Sequence, residues 1–197
     1  MKIGQNTRNQ EINKNSGFSL VELIIIVALM GVVLWYGTPR VDSVFGYSAR
    51  EANTKIYNSI VSFKTSYMGK ARGSATYVRS GSSVNPDLTM YMEIFRNSKN
   101  RYFVKFHIDG EADVVEELAP NKIDISFQYK GGTTLEPVGE EGNGLILAFD
   151  RSTGGFLPQS ISGGSPVHVK YIYCSSGTKT YKIELMPQTG KVMIDKD

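Results

Sequence analysis

One carboxylate inside an apolar stretch has more chemical consequence than any other side chain in this 197-residue sequence. Phe18 to Tyr36, FSLVELIIIVALMGVVLWY, is apolar apart from Ser19 and Glu22. An acid one turn inside such a helix is costly in hydrocarbon and needs a partner, yet the run holds no Lys, Arg or His. A cut between Gly17 and Phe18 would supply one, because the new α-amino group of Phe18 lies four residues before Glu22 in the same apolar setting. Two opposite charges neutralise each other where either alone is expensive. Formed between the acid of one subunit and the amine of its neighbour, that pair favours side-by-side assembly of helices and sets their axial register.

The remaining chemistry-bearing groups offer little. Asp150-Arg-Ser-Thr-Gly-Gly155 lacks the repeated acids and closing Glu of a calcium loop and reads as a polar hairpin turn. Glu140 and Glu141 could pair for acid–base work, but a Gly-bounded loop rarely holds carboxylates in catalytic geometry. His107 and His168 fall on the polar faces of alternating strands, with no Cys or acid at ligand spacing, and read as surface histidines. Ser160, Ser162 and Ser165 lack the strand–G-x-S-x-G context of a nucleophile elbow. Cys174 is the only cysteine, which excludes an intrachain disulfide and a Cys-based zinc cage; it reads as a small, partly buried side chain in a strand. The expectation is therefore no catalytic residue, no cofactor and no metal site: not an enzyme. A formal net charge of +3 is too small to predict direct nucleic-acid binding. With 41% hydrophobic residues the chain is not disordered.

The elements that must position Glu22 follow from hydropathy. Residues 1–17 are polar, with Lys2, Arg8 and Lys14 against Glu11. The apolar run would span roughly 28 Å as a helix, close to the hydrocarbon thickness of about 30 Å. Positive charge before it keeps that end cytoplasmic and predicts export of everything after Arg40. An ordinary cleavable secretory signal is excluded by the length of the run and the missing A-x-A site. Gly37 and Pro39 predict a kink or a weakened turn. Helical periodicity then resumes: Val41, Val44, Phe45, Ala49, Ala52, Ile56, Ile60, Phe63 and Tyr67 recur at spacings of three and four, ending at Gly69-Lys-Ala-Arg-Gly73. After Gly73 the period changes to 2. Thr89–Phe95 and Arg101–Ile108 read as a hairpin, followed by strands around 123–129, 145–149, 167–173, 181–185 and 191–194. The fold class is α+β, a long N-terminal helix whose second half packs on an antiparallel sheet. The divisions are a leader (1–17), a membrane-spanning or filament-core helix (18–38), its amphipathic continuation (39–73) and an exported β-rich domain (74–197). Loops 74–86 and 133–144 read as exposed rather than folded.

Gly17-Phe18-Ser19-Leu20-Val21-Glu22-Leu23 and the apolar run after it resemble the class III signal of type IV prepilins and type II secretion pseudopilins. That resemblance implies cleavage after Gly17 by a prepilin peptidase, N-methylation of Phe18, Glu22 as the assembly contact and Pro39 as a helix kink. It implies the pilin fold, residence in the inner or cytoplasmic membrane before assembly, and a filament afterwards. The partners it implies are other pilins or pseudopilins, the peptidase, the membrane, and an assembly platform protein with a separate ATPase. Gly144-Leu-Ile-Leu-Ala-Phe-Asp150, Thr153-Gly-Gly155 and Tyr181 to Ile194 are similar to the H-type minor pseudopilins and related minor pilins. Glu22 speaks against the secretion tip subunit, which commonly lacks that acid, and a single Cys speaks against a major type IVa pilin with its C-terminal disulfide loop. The competing expectation is a signal-anchored exported binding domain that never polymerises.

Overall fold

Ala49, Ala52, Ile56, Ile60 and Phe63 share one face of a helix at 3.6 residues per turn, and the fold is built around burying them. A computed structural model describes residues 19–37, 41–67, 70, 75–79, 88–119, 123–160 and 165–195. The chain divides into two compact units, residues 1–39 and 40–197. The first holds helix α1 (Leu20–Gly37); the second begins with helix α2 (Val41–Tyr67). Pro39, the expected kink, lies outside the described residues, as do Gly17, Phe18 and most of the expected helix end at 69–73.

Among the described residues of the second unit eleven strands follow: β1 (Val78–Arg79), β2 (Met90–Arg96), β3 (Tyr102–Ile108), β4 (Val114–Ala119), β5 (Asp124–Tyr129), β6 (Glu136–Pro137), β7 (Leu145–Leu147), β8 (Gln159–Ser160), β9 (Val169–Ser176), β10 (Lys179–Met186) and β11 (Lys191–Ile194). They form an antiparallel five-stranded sheet in the order β11-β10-β9-β5-β6 and an antiparallel four-stranded sheet in the order β4-β3-β2-β7. The pair β1-β8 is parallel. Helix followed by antiparallel sheet is the α+β arrangement expected, and the β2-β3 hairpin closes over Asn97–Asn100 with Asn100 at φ 57°. That left-handed conformation suits Asn better than most side chains.

A single core joins the layers. From α2 it takes Ala52, Ile56, Ile60 and Phe63; from the four-stranded sheet Met92, Ile94, Val104 and Leu118; from the five-stranded sheet Ile125, Ile172, Ile183 and Leu185. A smaller cluster around Val78, Leu88, Tyr91, Ile146 and Leu157 lies apart from it. β2 is buried along six of its seven residues, because its Met92 and Ile94 belong to the first cluster and its Tyr91 to the second.

The expectation for 133–144 needs correction. Val138 N–H donates to the Ile125 carbonyl at 3.1 Å, Arg96 N–H donates to that of Gly139 at 2.9 Å, and Val138 is fully buried. With β6 paired to β5, this segment is a docked connection. Periodicity does not predict β4 or the two-residue strands; β4 alternates poorly because it is an edge strand with Val114 and Val115 both exposed.

Replacing Ile56, which is fully buried, by Ala should cost about 2–5 kcal/mol through lost transfer energy and the cavity left behind. Val61→Ala, at a side chain 39% exposed, should cost well under 1 kcal/mol. Urea unfolding of the two full-length variants reads the difference.

Candidate functional site

α1 starts with a cap. Ser19 Oγ accepts the Val21 N–H at 3.3 Å, and its carbonyl accepts the Leu23 N–H at 3.1 Å. Ser19 thus satisfies one of the donors that every helix start leaves orphaned. Glu22 falls in the first turn, three residues after the cap, where a negative charge also meets the positive end of the helix dipole favourably. Ser19-Leu-Val-Glu22 has the spacing of a capping box, a signal present in the sequence that the hydropathy reading passed over.

Beyond the cap, α1 is apolar on all sides. Leu20 is 76% exposed, and every large apolar side chain described from Leu20 to Val32 is at least 39% exposed. Covering ten such side chains is worth on the order of 10 kcal/mol or more. Glu22 is the one ionisable group on this surface and is itself exposed. α1 is about 27 Å long at 1.5 Å per residue, and among the described residues no helix is long and apolar enough to cross a membrane. The expected span begins at Phe18, outside the described residues.

Among the described residues of the second unit, the polar groups singled out in the sequence lie apart, each with its own surroundings. Glu140 and Glu141 do not act together: Glu140 pairs with Arg96 through the backbone, in an isolated parallel β-bridge, and Glu141 Oε1 accepts from Lys105 Nζ at 3.1 Å. Asp150 Oδ1 gathers the Ser152 and Thr153 N–H groups at 3.0 and 2.7 Å and their hydroxyls at 2.6 and 2.8 Å. The Ser152 hydroxyl, then the Thr153 groups, hold this carboxyl down at about 2. Among the described residues no three His, Cys, Asp or Glu side chains form a metal-binding group. Ser160 lies in β8, Ser162 is outside the described residues, and Ser165 is exposed.

Two sequence readings change. His107 is no free surface residue: its Nδ1 lies 2.7 Å from Asp113 Oδ1, and its ring stacks on Tyr91 at 4.6 Å. His168 is half-buried, its Nδ1 without a hydrogen-bond partner, and its pKa is pushed down by burial and by the Lys130 charge. Cys174 is completely rather than partly buried, and burial pushes its thiol up to about 12. It is protonated and unreactive at neutral pH.

A buried ion pair escaped the sequence reading. Lys105 Nζ lies 2.8 Å from Glu93 Oε2, with side-chain exposures of 9% and 1%. The other oxygen of Glu93 accepts the Gly142 and Gly144 N–H groups at 2.7 and 3.2 Å. Burial lowers the Lys105 pKa, but the hydrogen bonds and charges of Glu93 and Glu141 outweigh it and the net shift is upward. Glu93 and Lys105 face each other in the β2-β3 ladder, each three residues from the Arg96–Tyr102 pair that closes the hairpin; that hairpin symmetry was readable. The pair holds the 138–144 connection onto the sheet. At the far end of α2, Lys64 Nζ donates to the Thr189 carbonyl at 2.7 Å. There Gly190, at φ +60°, passes so close to Gly154 that an added Cβ would strike the Gly154 carbonyl oxygen.

Comparison with known proteins bears on the first unit above all. The family model described as the prokaryotic N-terminal methylation motif matches residues 12–36. The fimbrial protein of Dichelobacter nodosus is 23% identical over 145 residues, covering 73% of this chain and 84% of that protein. No solved structure matches. Motif, relative and α+β architecture together make the chain type IV pilin-like.

Lys105→Met should cost about 3–5 kcal/mol in denaturant unfolding, because Glu93 is left buried without its counter-ion. Adding Glu93→Leu should recover part of that loss. Asp150 gives a pH test. Its carboxyl is depressed to about 2 in the folded chain from its ordinary value of 3.8, so the turn's contribution is fully present above pH 4 and is lost as pH falls towards 2. A side-chain carboxyl NMR titration should place the Asp150 midpoint near 2; a midpoint near 4 would mean the turn bonds are absent in solution.

Proposed function

We propose that this type IV pilin-like chain is a minor pilin or pseudopilin subunit, cut between Gly17 and Phe18, N-methylated on Phe18, and assembled into a type IV pilus or a type II secretion pseudopilus. The observation that carries the reading is α1 itself: a helix apolar all round, with one carboxylate three residues past its cap. Such a surface has to be covered by lipid or by other apolar helices. Before assembly the cover is the membrane, entered with the leader on the cytoplasmic side as the Lys2, Arg8 and Lys14 charges favour. After assembly it is the corresponding helices of neighbouring subunits.

Processing supplies the missing counter-charge. The Phe18 amine released by the peptidase can meet Glu22 of an adjacent subunit, and neutralisation in low dielectric makes the pairing strong enough to fix axial stagger. Until that partner arrives, the position of Glu22 in the first turn reduces its cost, since the helix dipole and polar head groups are both within reach. The assembly platform and its ATPase supply the work. The chain is a structural subunit in this reading, with no catalytic step of its own. A minor rather than a major subunit is favoured by the single Cys and by the Gly144–Asp150 and Tyr181–Ile194 segments.

In membranes of cells that carry the assembly machinery, mass spectrometry should find a mature chain beginning at N-methyl-Phe18. Glu22→Ala should leave leader removal intact while lowering recovery in sheared filaments by tenfold or more, on the order of the penalty for an unpaired charge. A chain retaining residues 1–17, or beginning at a residue other than Phe18, favours a signal-anchored exported binding domain instead, whereas Glu22→Ala incorporated as well as the parent removes the charge-pair argument.

A further inference from the structure

A primary amine, a carboxyl group and a second carboxylate meet where β2 and β3 pass under the 138–144 connection. Lys105 Nζ lies 2.8 Å from Glu93 Oε2 and 3.1 Å from Glu141 Oε1. Side-chain exposures are 9% for Lys105, 1% for Glu93 and 60% for Glu141, so two of the three groups are dry and the third reaches water. The buried Phe95 ring, centred 5.7 Å from Nζ, closes one side. An ion pair enclosed in this way recovers its desolvation cost only in part, and uncharged groups filling the same space are often the more stable.

The Glu93 carboxyl is held as a reacting carbonyl would be. Its Oε1 takes two backbone N–H groups, from Gly142 at 2.7 Å and Gly144 at 3.2 Å, the arrangement that stabilises a tetrahedral oxyanion. Gly142 adopts φ +84°, and a Cβ on Gly144 would strike the Ile94 carbonyl oxygen, so glycine is what lets both donors reach one oxygen. Oε2 faces the amine, with the carboxyl carbon one bond beyond. For groups fixed this near each other, effective molarities reach about 10⁵–10⁸ M. Glu141 adds what a simple pair lacks, a proton acceptor on the nitrogen with an outlet to solvent.

We propose that Lys105 and Glu93 join after folding in an intramolecular isopeptide bond, with Glu141 as the proton acceptor. Burial lowers the Lys105 pKa but the two carboxylates raise it more, so the nitrogen starts as an ammonium. One proton crosses from Nζ to Glu93 Oε2, which leaves a neutral amine beside a neutral carboxylic acid and removes both buried charges. The amine attacks the carboxyl carbon, and the Gly142 and Gly144 N–H groups hold the negative charge that develops on Oε1. Glu141 takes a second proton from the now cationic nitrogen and delivers it to Oε2. The Nζ–Cδ bond has formed, the Cδ–Oε2 bond breaks, and Oε2 leaves as water. One ammonium and one carboxylate become one amide and one water, Glu141 ends as it began, and no oxidant, reductant or cofactor enters. The reaction happens once per chain. It closes the β2-β3 hairpin covalently, so that neither strand can be drawn off the other, and it does not depend on the filament reading.

The test is the mass of the folded, purified full chain, counted from whichever N-terminus the spectrum shows. The parent should be lighter than its sequence requires by one water, and digestion should yield the peptides carrying Glu93 and Lys105 joined, with no tryptic cut after Lys105. Lys105→Arg keeps a cation opposite Glu93 but forms no such amide, and should have its full mass. Glu141→Gln leaves the buried pair intact, and should slow the loss of water about a hundredfold by removing the proton acceptor. Because Glu141 is exposed, that variant should unfold in urea as cooperatively as the parent. A folded parent that keeps its full mass overturns the proposal. So does a loss of water that survives Lys105→Arg, or a Glu141→Gln chain that links as fast as the parent.

Discussion

Ile56, Ile60 and Phe63 cannot be exposed cheaply, and two sheets have to come to them. α2 gives side chains to a core shared with Met92 and Ile94 on one sheet and Ile172, Ile183 and Leu185 on the other. Because one helical stripe serves both, its spacing fixes which strand residues must face inward, and so fixes the register of each ladder. The second cluster, around Leu88, Tyr91 and Ile146, depends on that arrangement, since Tyr91 is held in place by neighbours Met92 and Ile94 facing the other way.

Between the two apolar clusters and the surface lies a polar fastening. Glu93 and Lys105 occupy the side of the hairpin that carries Tyr91, in a position where neither charge could stay alone. Their pairing, completed by the Gly142 and Gly144 N–H groups, converts a glycine-rich connection into an ordered wall. α1 makes the opposite demand. Among the described residues, its large apolar side chains from Leu20 to Val32 stay exposed, which is what an element built for a bilayer or a bundle should show. One chain therefore combines a body that completes its own core with a helix that depends on others.

Much of this was legible in the residues. The α2 stripe announced itself through Ala52, Ile56, Ile60 and Phe63, and the hairpin through the alternation on both sides of Asn97–Asn100. The Gly17-Phe18-Ser19-Leu20-Val21-Glu22 pattern was legible as a resemblance, and the family model for the N-terminal methylation motif matches residues 12–36. What escaped depended on contacts distant in sequence. Glu141 looked like a loose loop acid until Lys105 appeared beside it. His107 looked like a surface residue because Asp113 lies just before the next strand, whose edge position hides any period-2 signal. The capping role of Ser19 was missed for another reason: hydropathy treats a hydroxyl as a small defect in an apolar run, whereas a helix start needs an acceptor there.

The Lys64 tether reaches further than local order. Thr189 is 125 residues along the chain from Lys64, and its neighbour Gly190 lies against Gly154. Phe156 N–H in turn donates to the Pro187 carbonyl at 2.7 Å. A pull delivered to α2 thus passes into the C-terminal hairpin and from there into the 150–155 turn. Three segments remote in sequence share the load, so a subunit tugged through its N-terminal half resists as a cross-braced unit instead of peeling helix from sheet.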